Sequence, residues 1–433
     1  MYRSITFIYP PYSNIYSDHS FQAFLPQLGI LELLNSIKDL DIESKYIDVQ
    51  CEERIHGSSI TTFLNIDRLG SNDIIGFYTQ TSMMPWISNA INTIKKTDPR
   101  ITIIGGGPYL SGVFEGKYTS LAKRKCRSLF DYILIGESEK TLRSFLTKKA
   151  NSHSIFKSER LSGDSLKFPL WEKAEKYLEF YKPAPNWIKN NPQKSLPILF
   201  SRGCKRACSF CLAKTIWKSR IVEKNTELIS SEIPNFIKSY GLDHLQIWDD
   251  DFFLLEKSDQ ISEIVFSNGK SYSVNTAPNE INKERVKSLQ FTNCTNVLLG
   301  VESLDSSIQD HIRKRVNINN LLQACQLLKS ADIKVTLSFI IGFPNETMES
   351  IQKIKDFLTN HKDLYDYVLL NILSLHPGTR CYEFVLKNGQ FKESELIPNT
   401  ARIGEPYSLP TTSIFNRETL QQLQKDIYTN FNK

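Results

Sequence analysis

Residues 195–211 read SLPILFSRGCKRACSFC, a short apolar strand candidate that runs straight into three cysteines, Cys204, Cys208 and Cys211. The spacing, three residues and then two, gathers three sulfurs within a chain that holds eight cysteines in 433 residues. Thiolates bind soft and borderline metals, so zinc, an iron–sulfur cluster and a redox pair are the chemistries on offer. Structural zinc closes its tetrahedron with four protein ligands. Of the seven histidines (His19, His56, His153, His244, His311, His361 and His376), none repeats at ligand spacing with a cysteine. A [4Fe–4S] cluster on three thiolates leaves one iron open instead, as a catalytic metal centre requires.

Working outward, SLPILFS (195–201) is the first of six strand candidates. HLQIWD (244–249), SYSVNT (271–276), NVLLGVE (296–302), KVTLSFII (334–341) and YVLLNIL (367–373) follow, with helix-length segments between them. Near-continuous apolar strands are those of a parallel sheet buried on both faces, here a partial (β/α)6 barrel of TIM type. The cysteine loop follows the first strand, at the C-terminal face where barrel chemistry sits. The first 150 residues carry a separate series: SITFIY (4–9), ESKYID (43–48), DIIGFYT (73–79), RITIIGGG (100–107) and DYILIG (131–136). These alternate with LGILELLNSIKDL (28–40), PWISNAINTIKKT (85–97) and SEKTLRSFLTKKA (138–150), which are apolar at three- and four-residue spacing. That is the pattern of a small, doubly wound, Rossmann-like sheet. The expected class is α/β, with a domain at 1–150, a linker at 151–195, the barrel at 196–380 and a C-terminal capping region at 381–433 that ends in an amphipathic helix near 416–430.

Composition sets outer limits. A hydrophobic share of 40% and a charged share of 23% are those of a globular chain, and no apolar run approaches the roughly 18 residues of a membrane helix. The opening MYRSITFIYPPY has no long apolar region before Pro10-Pro11, so a cytoplasmic protein without a signal peptide is expected. Net charge is +6, with short basic clusters at Lys123-Arg124-Lys125 and Arg313-Lys314-Arg315. That permits an anionic ligand and demands none. Cys51, Cys126, Cys294, Cys325 and Cys381 stand apart, as buried thiols of a reducing compartment do.

Cys-x3-Cys-x2-Cys with Phe210 before the third cysteine resembles the signature of the radical S-adenosylmethionine (radical SAM) superfamily. The resemblance implies a [4Fe–4S] cluster on Cys204, Cys208 and Cys211 whose open iron chelates SAM, and whose electron cleaves SAM to a 5′-deoxyadenosyl radical. WDDDFF (248–253) stands where the family more often reads Gly-Gly-Glu, which makes Asp249, Asp250 and Asp251 candidates for the SAM ammonium; an acidic capping turn is the structural alternative. GVES (300–303) resembles the family's Gly-x-Glu-Ser, giving Glu302 and Ser303, with Asn275 as a ribose contact; a buried ion pair is the rival for Glu302. Arg315 matches the basic residue for the SAM carboxylate, and a solvated charge run is its alternative. FIIGFPNET (339–347), with Gly342, and HPGTR (376–380) resemble motifs of the cobalamin-associated branch, although Asn345 replaces the usual glycine.

YPPY, LPQLGILELL, DIIGFYTQTS, IIGGGPYLSG and DYILIGESEKTL, in that order, resemble the cobalamin-binding domain fused to many radical SAM enzymes. The implied cobalamin contacts are Pro11, Leu28, Gly29, Thr79, Thr81, Ser82, Gly106, Gly107, Pro108, Tyr109, Gly136, Glu137 and Glu139. Glycines at strand ends leave room for a ligand over the C-terminal sheet edge. No Asp-x-His-x-x-Gly occurs to ligate cobalt from below. A domain that kept the fold and lost the cofactor is therefore the alternative.

The resemblance implies a cobalamin-dependent methyltransferase acting on an unactivated carbon of a small-molecule or natural-product substrate. An electron donor such as flavodoxin or ferredoxin would serve it, and neither membrane nor nucleic acid is expected as a partner. A radical dehydratase, cyclase or rearrangement enzyme that uses no cobalamin is the enzymatic alternative, and a cofactor sensor the non-catalytic one. The tRNA methylthiotransferases fit poorly: their N-terminal domain carries three further cysteines, where only Cys51 and Cys126 stand here.

Overall fold

The computed structural model describes residues 2–11, 26–56, 69–147, 155–181, 194–398 and 415–432. The chain divides into two compact units, residues 1–182 with 376–408, and residues 183–375 with 409–433.

In the first unit, β1 (Ser4–Tyr9), β2 (Glu43–Asp48), β3 (Asp73–Tyr78), β4 (Thr102–Gly106), β5 (Tyr132–Ile135) and β6 (Ile155–Lys157) form one sheet in the order β2-β1-β3-β4-β5-β6. Every described pairing in it is parallel. Ile5, Ile8, Ile75 and Ile103 are fully buried, which accounts for the continuous apolar runs of strands covered on both faces. The strand order reverses beside β1, so its topological switch point lies at the C-terminal ends of β1 and β3.

β6 falls inside the stretch expected as a linker. Three residues, Ile155-Phe156-Lys157, are too few to show a period. The chain then continues over the same unit: the 3-10 turns of Trp171–Tyr177 bury Trp171, Ala174 and Tyr177, Lys173 donates to the Ser44 carbonyl at 2.8 Å, and the Tyr177 hydroxyl donates to Glu52.

The second unit holds the expected half-barrel: β7 (Ser195–Ile198), β10 (His244–Ile247), β11 (Ser271–Thr276), β12 (Cys294–Glu302), β13 (Lys334–Ile341) and β14 (Tyr367–Ile372), in the order β14-β13-β12-β11-β10-β7. Each strand lies beside its neighbour in sequence and runs parallel to it. A two-residue antiparallel ribbon, β8 (Ser201–Arg202) with β9 (Val222–Glu223), follows β7. Leu245, Val297, Leu337 and Phe339 are fully buried between the sheet and its helices.

The stretch 381–433, expected as one capping region, is divided between the units. Helix Arg380–Lys387 belongs to the first, where Gly378 touches the glycines of helix Pro108–Glu115 so closely that a Cβ on Gly116 would lie 2.5 Å from the Gly378 Cα. Helix Arg417–Phe431 belongs to the second and covers the edge of β14. There the Asn432 side chain acts as a strand would, accepting from the Val368 N–H at 2.7 Å and donating to its carbonyl at 2.8 Å. An open parallel edge is a pairing hazard that such a cover removes. The five isolated cysteines are buried free thiols, and among the described residues no helix is long and apolar enough to cross a membrane.

Candidate functional site

The cysteine loop takes its shape from the ribbon that precedes it. Gly203 sits at φ +111°, and a Cβ there would meet the Arg220 carbonyl oxygen at 2.0 Å, so only glycine lets residues 217–220 close against the loop. The Ser209 N–H donates to the Ile312 carbonyl at 2.9 Å, tying the loop to the end of helix Ser306–Ile312. Phe210 packs edge-on against Phe343, 5.7 Å between ring centres.

Cys204, Cys208 and Cys211 line one cavity of about 320 Å³, together with residues from the ends of β10, β11, β12 and β13. The Cys204 and Cys211 sulfurs each accept a backbone N–H, from Arg206 and Ala213, at 3.4 Å. Burial pushes the Cys204 thiol up to about 11 and Cys211 to about 12, and raises Cys208, so metal loading must displace their protons. Three thiols lining one cavity suit a polynuclear cluster, where each binds a different iron. No group of three His, Cys, Asp or Glu among the described residues forms a single-ion site.

The charged residues around the cavity are mostly paired. Arg206 donates to Asp251 at 2.6 Å and to Glu280 at 2.8 Å, while Thr276 donates to the other oxygen of Asp251 at 2.7 Å. Asp249 accepts from the Phe200 N–H at 3.0 Å and from the Ser201 hydroxyl; burial pushes it up to about 6. Lys314 meets Glu302 at 3.2 Å on the cavity wall, with both side chains about nine-tenths buried. Burial works against the Lys314 charge, but Glu302 and the Cys208 thiol outweigh it and raise the lysine's pKa. A Cβ on Gly300 would come within 2.9 Å of both partners, so that glycine makes room for the pair. Glu302 itself sits at φ +70°, where the β12–β13 register shifts, a strained conformation for a side chain other than glycine.

Of the residues singled out from the sequence, the three cysteines, Phe210, Asp249, Asp250, Asp251, Asn275 and Glu302 line this cavity. Asp250 and Asn275 have no hydrogen-bond partner for their side chains among the described residues and, with the Ser338 hydroxyl, are polar groups left for a ligand. Three others lie elsewhere. Arg315 is exposed, because left-handed turns at Arg313 and Arg315 carry Lys314 inward instead. Ser303 is buried with its hydroxyl accepting from the Asp305 N–H at 3.2 Å, as a helix-entry turn. Gly342 does not line the cavity; its N–H is taken by Glu346, whose carboxyl burial pushes up to about 7. Arg206, Thr276, Gly300, Lys314 and Ser338 were not singled out from the sequence; Gly300 carried a signal as the first residue of GVES, and Lys314 as the centre of a basic triplet.

The first unit offers a different kind of edge. Thr79 and Thr81 follow β3, and Gly106 and Gly107 end β4. Gly107 is at φ +110° with its Cβ position 2.9 Å from the Thr79 nitrogen, a backbone requirement. Gly106 is not so constrained: a Cβ there would find nothing closer than 3.7 Å. The Thr81 hydroxyl pairs with Nδ1 of His376 at 2.8 Å, and burial lowers that imidazole to about 4, keeping it neutral. Leu28, Ser82 and Tyr109 are buried, and Tyr109 donates its N–H to the Thr79 carbonyl at 3.0 Å. Glu137 accepts from the Leu161 N–H at 2.8 Å and meets Arg160 at 3.1 Å, and Glu139 begins the helix Glu139–Thr147. Gly136 is at φ +81°, Gly29 is exposed, and Pro11 and Pro108 are half-buried.

Residues 198–358, which include the whole cysteine loop and cavity wall, match the model of the radical SAM superfamily. An uncharacterized methyltransferase of Pyrococcus horikoshii is 24% identical over 381 residues, 84% of this chain and 79% of that one. The bacteriochlorophyllide d C-12(1)-methyltransferase of Chlorobaculum tepidum is 22% identical over 407 residues, 91% of this chain and 82% of its own. Among solved structures, the radical S-adenosylmethionine methyltransferase TsrM of Kitasatospora setae, bound to cobalamin and a [4Fe–4S] cluster, aligns with a TM-score of 0.65 at 15% identity, covering 90% of this chain and 78% of TsrM. The likeness extends through both units: residues 198–358 match the radical SAM superfamily, and the chain as a whole has the fold seen in TsrM.

Proposed function

We propose that this protein is a cobalamin-dependent radical SAM methyltransferase acting on an unactivated carbon of a small molecule. The observation that carries the reading is the set of three thiols, one buried and two half-buried, lining one cavity, with the unpartnered Asp250 and Asn275 facing the same space. When bound, a [4Fe–4S] cluster with SAM supplies a hydrogen-abstracting radical, and cobalamin supplies the methyl group. The chain's own work is to bind and orient. Cys204, Cys208 and Cys211 would hold the cluster. Lys314, kept charged by Glu302, suits the SAM carboxylate, and Asp250 and Asn275 suit its ammonium and ribose. At the first unit's sheet edge, the uncrowded backbone at Gly106 and the neutral Thr81–His376 pair suit a large planar ligand of low charge.

Anaerobic reconstitution tests the assignment. The protein is expected to hold about four iron and four sulfide per chain, to convert SAM and reductant to 5′-deoxyadenosine, and to retain a corrinoid with its visible spectrum. Full turnover without cluster would overturn the radical reading. A loaded, active protein that binds no corrinoid would shift the assignment to a cobalamin-free radical dehydratase, cyclase or rearrangement enzyme.

A further inference from the structure

Three contacts fix His376 to the first unit. Its Nδ1 pairs at 2.8 Å with the hydroxyl of Thr81, 295 positions away in the chain. Its carbonyl accepts from the N–H and the hydroxyl of Thr379, at 3.1 and 2.8 Å. Gly378, at φ +87°, lies so close to helix Pro108–Glu115 that a Cβ there would meet the Gly112 carbonyl oxygen at 2.5 Å. Ring and backbone are therefore both held in place before any ligand arrives. Thr81 opens the turn that follows β3, beside the topological switch point where ligands of open α/β sheets bind.

Of the histidines whose side chains the structure describes, His376 alone belongs to the first unit; His244, His311 and His361 belong to the second. The residue is half-buried, and its Nε2 has no hydrogen-bond partner among the described residues. Burial is the whole cause of the ring's low basicity, so no carboxylate competes for that nitrogen. An imidazole with one nitrogen oriented by a neighbouring polar group and the other left open is the arrangement of a metal-ligating histidine.

We infer that Nε2 of His376 is an axial ligand to the corrinoid cobalt and that Thr81 orients its ring, an inference that rests on the cobalamin reading above. The Nε2 lone pair forms the bond to cobalt, and the bond from the corrinoid's own benzimidazole base to the metal breaks. No electron is transferred, and the ring proton sits on Nδ1, where the Thr81 oxygen accepts it. The chain has no Asp-x-His-x-x-Gly. A segment remote in sequence supplies the imidazole in its stead, at the same edge of the sheet.

The test loads the parent chain with cob(II)alamin, once with ordinary and once with 15N-labelled histidine, and reads the axial nitrogen splitting by electron paramagnetic resonance. The ordinary chain should give a triplet and the labelled chain a doublet, because the cofactor's own base carries no label. A triplet from the labelled chain, or bound corrinoid with no nitrogen splitting, would overturn the inference. His376→Gln should abolish the doublet and weaken cob(II)alamin binding about tenfold. A doublet that survives this substitution assigns the ligand to another histidine and sinks the proposal. Should His376→Gln not fold, the other six histidines are replaced by glutamine one at a time. The doublet should persist in every folded variant, and its loss in one of them with corrinoid still bound refutes His376. A parent chain that takes up no corrinoid refutes the cobalamin reading itself, an outcome distinct from bound corrinoid without histidine.

Discussion

Both units are parallel α/β sheets, yet their C-terminal edges hold opposite kinds of chemistry. The barrel edge concentrates ionisable groups: three thiols, the Arg206–Asp251–Glu280 network, the Lys314–Glu302 pair and the raised Asp249. The edge of the first sheet carries threonine hydroxyls, glycines and a histidine held neutral at β3 and β4, with its Glu137–Arg160 ion pair set apart past β5. One is built to hold and balance charge, the other to leave room. The same architecture serves both, because parallel strands deliver their loops to one side whatever residues those loops carry.

Substitutions can break this contrast one side at a time. The largest effect is expected from Cys208→Ala, which should abolish 5′-deoxyadenosine formation and cut bound iron, with corrinoid content unchanged. Gly106→Leu should do the reverse: corrinoid binding falls by about a hundredfold, since the side chain outgrows the room for a single methyl beside Leu134 and crowds the sheet edge, while 5′-deoxyadenosine still forms. Gly106→Ala should leave both binding and Tm unaltered. Lys314→Met leaves Glu302 buried without its partner; SAM affinity, read by equilibrium binding, is expected to drop about 30-fold.

The smallest effect sharpens a contrast in pH. Glu346 sits fully buried with one oxygen lacking a partner among the described residues, and its folded value of about 7 lies above the unfolded one. Its contribution to stability is therefore full below about pH 4.3 and is lost as pH rises through 7. Glu346→Gln should flatten that slope, making the protein more stable than the parent at pH 8 and no more stable near pH 4, as read from urea unfolding.

Much of this was legible in the chain because burial on both faces writes itself as apolar runs. β1, β2, β11 and β13 have the bounds that their runs 4–9, 43–48, 271–276 and 334–341 predict. β6 was hidden because Ile155-Phe156-Lys157 joins the sheet as a short edge with two exposed residues. Helix Pro108–Glu115 went unread between two strand candidates, although proline at a first turn is a helix start. Arg315 and Lys314 could not be told apart in a run of three cations, since their directions depend on two left-handed backbone residues.

The sequence by itself determined the three sulfurs, their spacing and the strand that precedes them, because these are matters of residue type and local order. Only the tertiary structure decided which acids are spent on arginine and which face the cavity, that Lys314 turns inward, and that residues 376–398 return to the first unit. Those outcomes rest on contacts between positions far apart in the chain, such as Gly116 with Gly378 and Arg206 with Glu280.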